Sequence, residues 1–150
     1  MKIGIIESSV LYGHILSGHF MKWGLQKSMI NEVKIAMNIN QLMPLNCFDF
    51  SVIVIDVTLI NSTIFRLISK IRISNPTLKV LLSGSEFCKL SFKDIQKAKV
   101  NGLLFRDISE IDFISTMNQV VSNNTHIDID HFVKIINHEI IDKILISKSA

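Results

Sequence analysis

Apolar residues in this chain gather into two kinds of run that alternate along its length. Short unbroken runs, Ile3-Gly4-Ile5-Ile6, Val52-Ile53-Val54-Ile55, Val80-Leu81-Leu82 and Leu103-Leu104-Phe105, lack the in-and-out alternation of a strand with one wet face. Such runs suit strands buried on both sides, as in a parallel sheet with helices over each face. Residues 33–37 read as one more strand. Between these runs the period changes to three and four. Leu11, Ile15, Leu16, Phe20 and Trp23 predict a helix over 10–25 that closes near Gly24. Ile64, Leu67, Ile68 and Ile71 predict another, with Asn61, Ser62 and Thr63 as candidate caps and Asn75-Pro76 as its stop. Ser91 with Asp94, and Ser109 with Asp112, place an acid three residues after a serine. This capping pattern opens a short helix through Ala98 and a second one whose stripe includes Phe113, Met117 and Val120.

Strand and helix therefore alternate from end to end, the order that builds a doubly wound α/β sheet. Residues 38–46, with Pro44 and little periodicity, predict at most a short or irregular helix before the Val52 strand. A last amphipathic helix is expected over 130–146, with Phe132, Ile136, Ile140 and Ile144 at steps of four and Val133, Ile141 and Leu145 widening the stripe. The division expected is one domain over 1–128 and an additional helix or linker over 129–150.

A chain of 150 residues, 48% hydrophobic, is long enough for one ordinary core. The formal net charge of +3 is dispersed, so no clustered basic face for nucleic acid is expected. Cys47 and Cys88 are far apart and lack Cys-x-x-Cys spacing, which argues against a disulfide framework or zinc knuckle. The apolar run after Lys2 is too short for a signal peptide, and no segment approaches membrane-spanning length. A soluble, cytoplasmic protein is the expectation.

Chemistry gathers at the strand ends. Four of the strands run into Glu7, Asp56, Ser83 and Arg106, which one parallel sheet brings to one edge. A carboxylate can attack a phosphoryl group, a second acid can help hold Mg²⁺, and a hydroxyl and a cation can bind the phosphoryl oxygens.

The segments Ile5-Ile6-Glu7-Ser8, Val54-Ile55-Asp56-Val57-Thr58-Leu59, Val80-Leu81-Leu82-Ser83 and Gly102-Leu103-Leu104-Phe105-Arg106-Asp107 resemble a response-regulator receiver domain. The likeness is to receivers of the LuxR/NarL type and covers about residues 2–128. It implies a flavodoxin-like five-stranded parallel sheet with an extra C-terminal helix. It also implies Asp56 as the phosphoacceptor position, Ser83 and Arg106 as phosphoryl-binding positions, and Leu103 as the switch position usually held by an aromatic ring. Glu7 and Asp56 would be the ligands of Mg²⁺.

The departures from that pattern bear on function. Ser8 stands where the family has a second acid, which lowers the expected affinity for Mg²⁺. Arg106 replaces a lysine with a bulky planar fork. Leu103 replaces the ring, and Ile60-Asn61 replaces the usual Pro-Gly after the phosphorylated strand. The expectation is an atypical, partly degenerate receiver, not an enzyme, with weak or no phosphorylation at Asp56. Its output would be protein contact or homodimerisation, with Phe132, Ile136, Ile140 and Ile144 as the interface, unless that stripe caps its own domain. A partner regulator and a histidine kinase are the other expected partners. DNA would be contacted only through a domain outside this chain, and no membrane contact is expected.

Two alternatives belong to the receiver fold itself: a conventional Mg²⁺-dependent phospho-accepting receiver, and a small-nucleotide sensor. A haloacid-dehalogenase-type phosphatase is disfavoured because Asp56-Val57-Thr58 lacks the acid of Asp-x-Asp-x-Thr. His131 and His138, seven apart, lack the acids or cysteines that would complete a metal site and are expected to be solvent-exposed.

Overall fold

The computed structural model describes residues 1–27, 29–30, 32–42, 49–122 and 126–149, with the side chains at 27, 143 and 146–149 outside the described set. Cys47 and Pro44 lie outside the described residues. Five strands, β1 (Lys2–Ile6), β2 (Glu32–Ala36), β3 (Val52–Asp56), β4 (Lys79–Gly84) and β5 (Gly102–Phe105), form one sheet in the order β2-β1-β3-β4-β5. Every pairing is parallel. The order reverses beside β1, so the connections wind to both faces, as the alternation of elements requires.

The unbroken apolar runs divide residue by residue between the two faces. Ile53, Ile55, Val80, Leu82 and Leu103 enter one core, while Val52, Val54, Leu81 and Leu104 enter the other. Helices α1 (Val10–Lys27) and α4 (Glu110–Ser122) cover the second face, where Tyr12, Leu16, Phe20, Trp23, Phe113 and Met117 are buried. Phe20 meets Phe113 edge-on at 4.9 Å between ring centroids. The first face is covered by α2 (Ser62–Ser74) and α3 (Phe92–Ala98).

Local signals set the element ends. Asn61 Oδ1 accepts from Ile64 N at 2.9 Å and starts α2. Ser91 has the extended backbone of a cap but makes no side-chain capping bond; α3 ends instead at Lys99, which adopts the left-handed conformation at φ 53°. Between β2 and β3 the described residues include a 3₁₀ turn, Ile39–Gln41, and Asp49 is again in 3₁₀ conformation shortly before β3.

The C-terminal helix, α5 (Ile129–Ser149), packs with its first half against its own domain. Phe132 is buried, with its ring 5.7 Å from that of Phe92, and Ile135 and Ile136 pack on the same core. This corrects the expectation for the stripe. Residues at steps of four drift by about 40° per step around a helix, so Phe132 and Ile144 point about 120° apart. The buried and half-buried positions follow the three-and-four rhythm instead, Phe132 and Glu139 buried and Ile135 and Ile136 half-buried, while Ile140 and Ile144 are exposed. Phe132 and Ile136 are thus engaged in cis, and of the four interface candidates Ile140 and Ile144 face solvent.

Candidate functional site

The parallel register brings the predicted residues together. Asp56, the last residue of β3, pairs with Ser83 of β4, and Glu7 and Arg106 directly follow β1 and β5. Glu7, Asp56 and Ser83 are all buried, whereas the Arg106 side chain is 32% exposed. Gly84, the final residue of β4, lets the 3₁₀ turn that follows β3 lie close: a Cβ there would stand 2.5 Å from Val57 Cγ2.

Both carboxylates accept hydrogen bonds from several protein donors. Arg106 Nη2 donates to Glu7 Oε1 at 2.6 Å and reaches Asp56 Oδ2 at 3.5 Å. Ser8 Oγ donates to Asp56 Oδ2 at 2.5 Å, and the Ser8 backbone N–H approaches the same oxygen at 3.3 Å. The other oxygen, Oδ1, accepts from Thr58 N at 2.9 Å and so caps the 3₁₀ turn Val57–Leu59. Glu7 accepts from Ser9 N at 3.2 Å and, through Oε2, from Ser83 Oγ at 3.4 Å. The guanidinium carbon of Arg106 rests 4.8 Å from the centre of the Tyr12 ring, whose hydroxyl donates to the Phe105 carbonyl at 3.3 Å.

These surroundings push the two acids apart. Burial, reinforced by a hydrogen bond shared with Asp56, raises the Glu7 carboxyl to about 7 despite the nearby Arg106. Burial alone would raise Asp56 as well, but the hydrogen bonds from Ser8 and Thr58 outweigh it and bring Asp56 down to about 2. Burial, with Glu7 next, raises the Tyr12 hydroxyl to about 12 and keeps it a neutral donor. Asp56 is thus the ionised member of the pair, and Glu7 carries the proton that titrates.

Sequence reasoning named Glu7, Asp56, Ser83 and Arg106, and they meet. It registered Ser8 only as a missing acid; here its hydroxyl and amide are donors to Asp56. It passed over Tyr12, whose signal was an aromatic ring on the first turn of the helix that follows Glu7. It also passed over Glu139, a carboxylate on the apolar stripe of α5. Glu139 is buried, its Oε1 accepts from Phe87 N at 2.6 Å, and its Oε2 is buried with no hydrogen-bond partner among the described residues. Leu103 is buried away from the carboxylates, in the core that α3 and α5 share. His138 is exposed beside Asp142 at 3.4 Å. Among the described residues no three His, Cys, Asp or Glu side chains form a group that could hold a metal, and no helix is long and apolar enough to cross a membrane.

No protein-family model and no curated protein matches the chain. Solved structures do. A candidate pilus assembly-related protein of Burkholderia pseudomallei is 14% identical, with a TM-score of 0.65 over 85% of this chain and 92% of that one. The chemotaxis response regulator CheY4 of Vibrio cholerae is 18% identical, with a TM-score of 0.61 over 79% of this chain and 97% of that one. A LuxR-family DNA-binding response regulator of Staphylococcus aureus is 15% identical, with a TM-score of 0.60 over 80% and 98%. Strand order, helix placement and these likenesses agree that the chain has the receiver fold of response regulators.

Proposed function

We propose that this chain is an atypical receiver domain of a signalling protein or transcriptional regulator, in which Arg106 occupies the role that a metal ion would otherwise fill. The observation that carries this reading is the contact of Arg106 Nη2 with both Glu7 and Asp56, at 2.6 Å and 3.5 Å. Mg²⁺ demands close to six oxygen ligands in octahedral array and usually keeps several waters. The two carboxylates here are buried and already bonded to Ser8, Ser9, Thr58, Ser83 and Arg106, and a hydroxyl stands at Ser8 in place of a third acid. That donor set does not fit a resident Mg²⁺.

Phosphoryl transfer to Asp56 would draw on oxygens already engaged by Ser8 at Oδ2 and by the Thr58 amide at Oδ1, hydrogen bonds that lower their nucleophilicity. It would also have to proceed with the single positive charge of Arg106 in place of the divalent charge that a metal ion brings to the phosphoryl oxygens. Output then rests on protein contact, with a second copy or a partner regulator meeting the exposed apolar part of α5, Ile140, Ile141, Ile144 and Leu145.

The test is incubation of the purified chain with acetyl phosphate and Mg²⁺, followed by intact-mass measurement. Unchanged mass is expected. Stoichiometric acid-labile phosphate on Asp56 would instead restore the conventional phospho-accepting receiver.

A further inference from the structure

At the opposite end of the sheet from Asp56, where α2 and α3 finish and β4 and β5 begin, four basic side chains converge on one cavity of ≈ 220 Å³. They are Arg72, Lys79, Lys99 and His126, and no acid stands among the described residues that line it. Asn101 organises them. Its Oδ1 accepts from Val80 N at 2.9 Å and from Arg72 Nη2 at 2.9 Å, which turns its Nδ2 toward His126 Nδ1 at 3.3 Å. His126 Nδ1 then accepts, and the ring proton stands on Nε2 as a donor.

One nitrogen of Arg72 is also spent on the end of α3, donating to the Lys99 carbonyl at 2.7 Å. Its Nε is buried without a hydrogen-bond partner among the described residues. A helix-end role therefore explains part of this guanidinium and leaves a donor over. Lys99 is the second unexplained choice. It is the one non-glycine residue at positive φ among the described residues, at a helix end where glycine is the unstrained choice.

The four groups feel one another. Burial, then the charge of Arg72, lowers the Lys79 ammonium. Burial, followed by Arg72, Lys99 and Lys79, lowers His126. Like charges held together in a half-sheltered recess create a field that a multiply charged anion relieves.

We infer that this recess is a binding site for a phosphate group, free or carried on a small phosphate ester, held by Arg72, Lys79, Lys99 and His126 around the Asn101 hub. A guanidinium and two ammonium groups match the charge and the several acceptor oxygens of phosphate better than those of a single carboxylate. The site is remote from Asp56 and does not depend on whether that residue is phosphorylated.

The experiment is an NMR titration of the full chain with inorganic phosphate and, separately, with ADP. Saturable shifts are expected at the amides of Lys99 and Asn101 and at the His126 ring. Lys99→Gly is expected to weaken binding about fivefold, the share of one exposed charge. Without anion, its thermal midpoint should equal or exceed that of the natural chain, because glycine removes the left-handed strain. Lys79→Gln should weaken binding in the same direction. Tighter binding of ADP than of phosphate would identify an ester as the ligand, and equal binding would identify free phosphate. Absence of shifts at these residues, affinity unchanged in both variants, or binding of oligonucleotides alone would overturn the inference.

Discussion

Arg106 donates to Glu7 at 2.6 Å, and through that contact the edge strand β5 is tied to β1 across the two strands that separate them. Removing the guanidinium would leave Glu7 and Asp56 buried without their cation. Arg106→Ala is expected to cost about 2 kcal/mol, below the usual toll for breaking a buried pair because a third of the side chain is in solvent. Urea denaturation checks this. The same variant should gain thermal stability from added Mg²⁺, whereas the natural chain should not.

Stability should have an unusual dependence on pH. The folded state raises Glu7 from 4.5 to about 7, so the stability linked to it is complete below pH 4.5 and is lost as pH rises through 7. Asp56 works in the opposite sense: lowered from 3.8 to about 2, it contributes above pH 3.8 and loses that contribution as pH falls through 2. Urea midpoints measured across this range should peak at mildly acidic pH and decline toward neutrality. Glu7→Gln should flatten the decline toward neutrality and leave the acid limb in place.

The proposed loss of phosphoryl chemistry has a constructive test. Ser8→Asp with Arg106→Lys supplies an added acid and exchanges the fork for a compact ammonium. The double variant should accept phosphate from acetyl phosphate in the presence of Mg²⁺. Either single change should accept little, because Ser8→Asp leaves the guanidinium in place and Arg106→Lys leaves the donor set one acid short. Intact-mass measurement reads each case.

The two halves of α5 should respond differently to mutation. Phe132→Ala empties a packed position against Phe92 and is expected to destabilise the fold by about 3 kcal/mol. Ile140→Asp with Ile144→Asp alters residues that are each 47% exposed, so the fold should survive. Sedimentation then isolates association. If copies of this chain pair through that face, the double variant should remain monomeric at concentrations where the natural chain dimerises.

Much of this architecture was legible in the residues. The run Val52 to Ile55 lacks alternation because both of its faces are covered, and Glu7, Asp56, Ser83 and Arg106 share an edge because every pairing is parallel. What escaped was set by three-dimensional reach. Ser8 read as a vacancy in a pattern, yet its hydroxyl lies against Asp56, 48 residues away in sequence. The length of the Arg106 side chain, more than its charge, lets it touch both acids. In α5, counting by fours traced a line that winds around the helix, so Phe132 and Ile144 ended on different sides.

Glu139 gives the domain a gauge. Its carboxylate holds the Phe87 amide at 2.6 Å, and Phe87 lies four residues past Ser83, whose hydroxyl meets Glu7. The far end of the chain is thereby fastened to the loop that leaves the acidic edge. Lifting α5 would uncover that one amide, and a shift of the loop would tug on the helix. Deuterium uptake at Phe87 therefore registers whether the C-terminal helix is seated, and comparing it between the natural chain and Glu7→Gln would measure how far a single proton at the acidic edge is felt at the other end of the polypeptide.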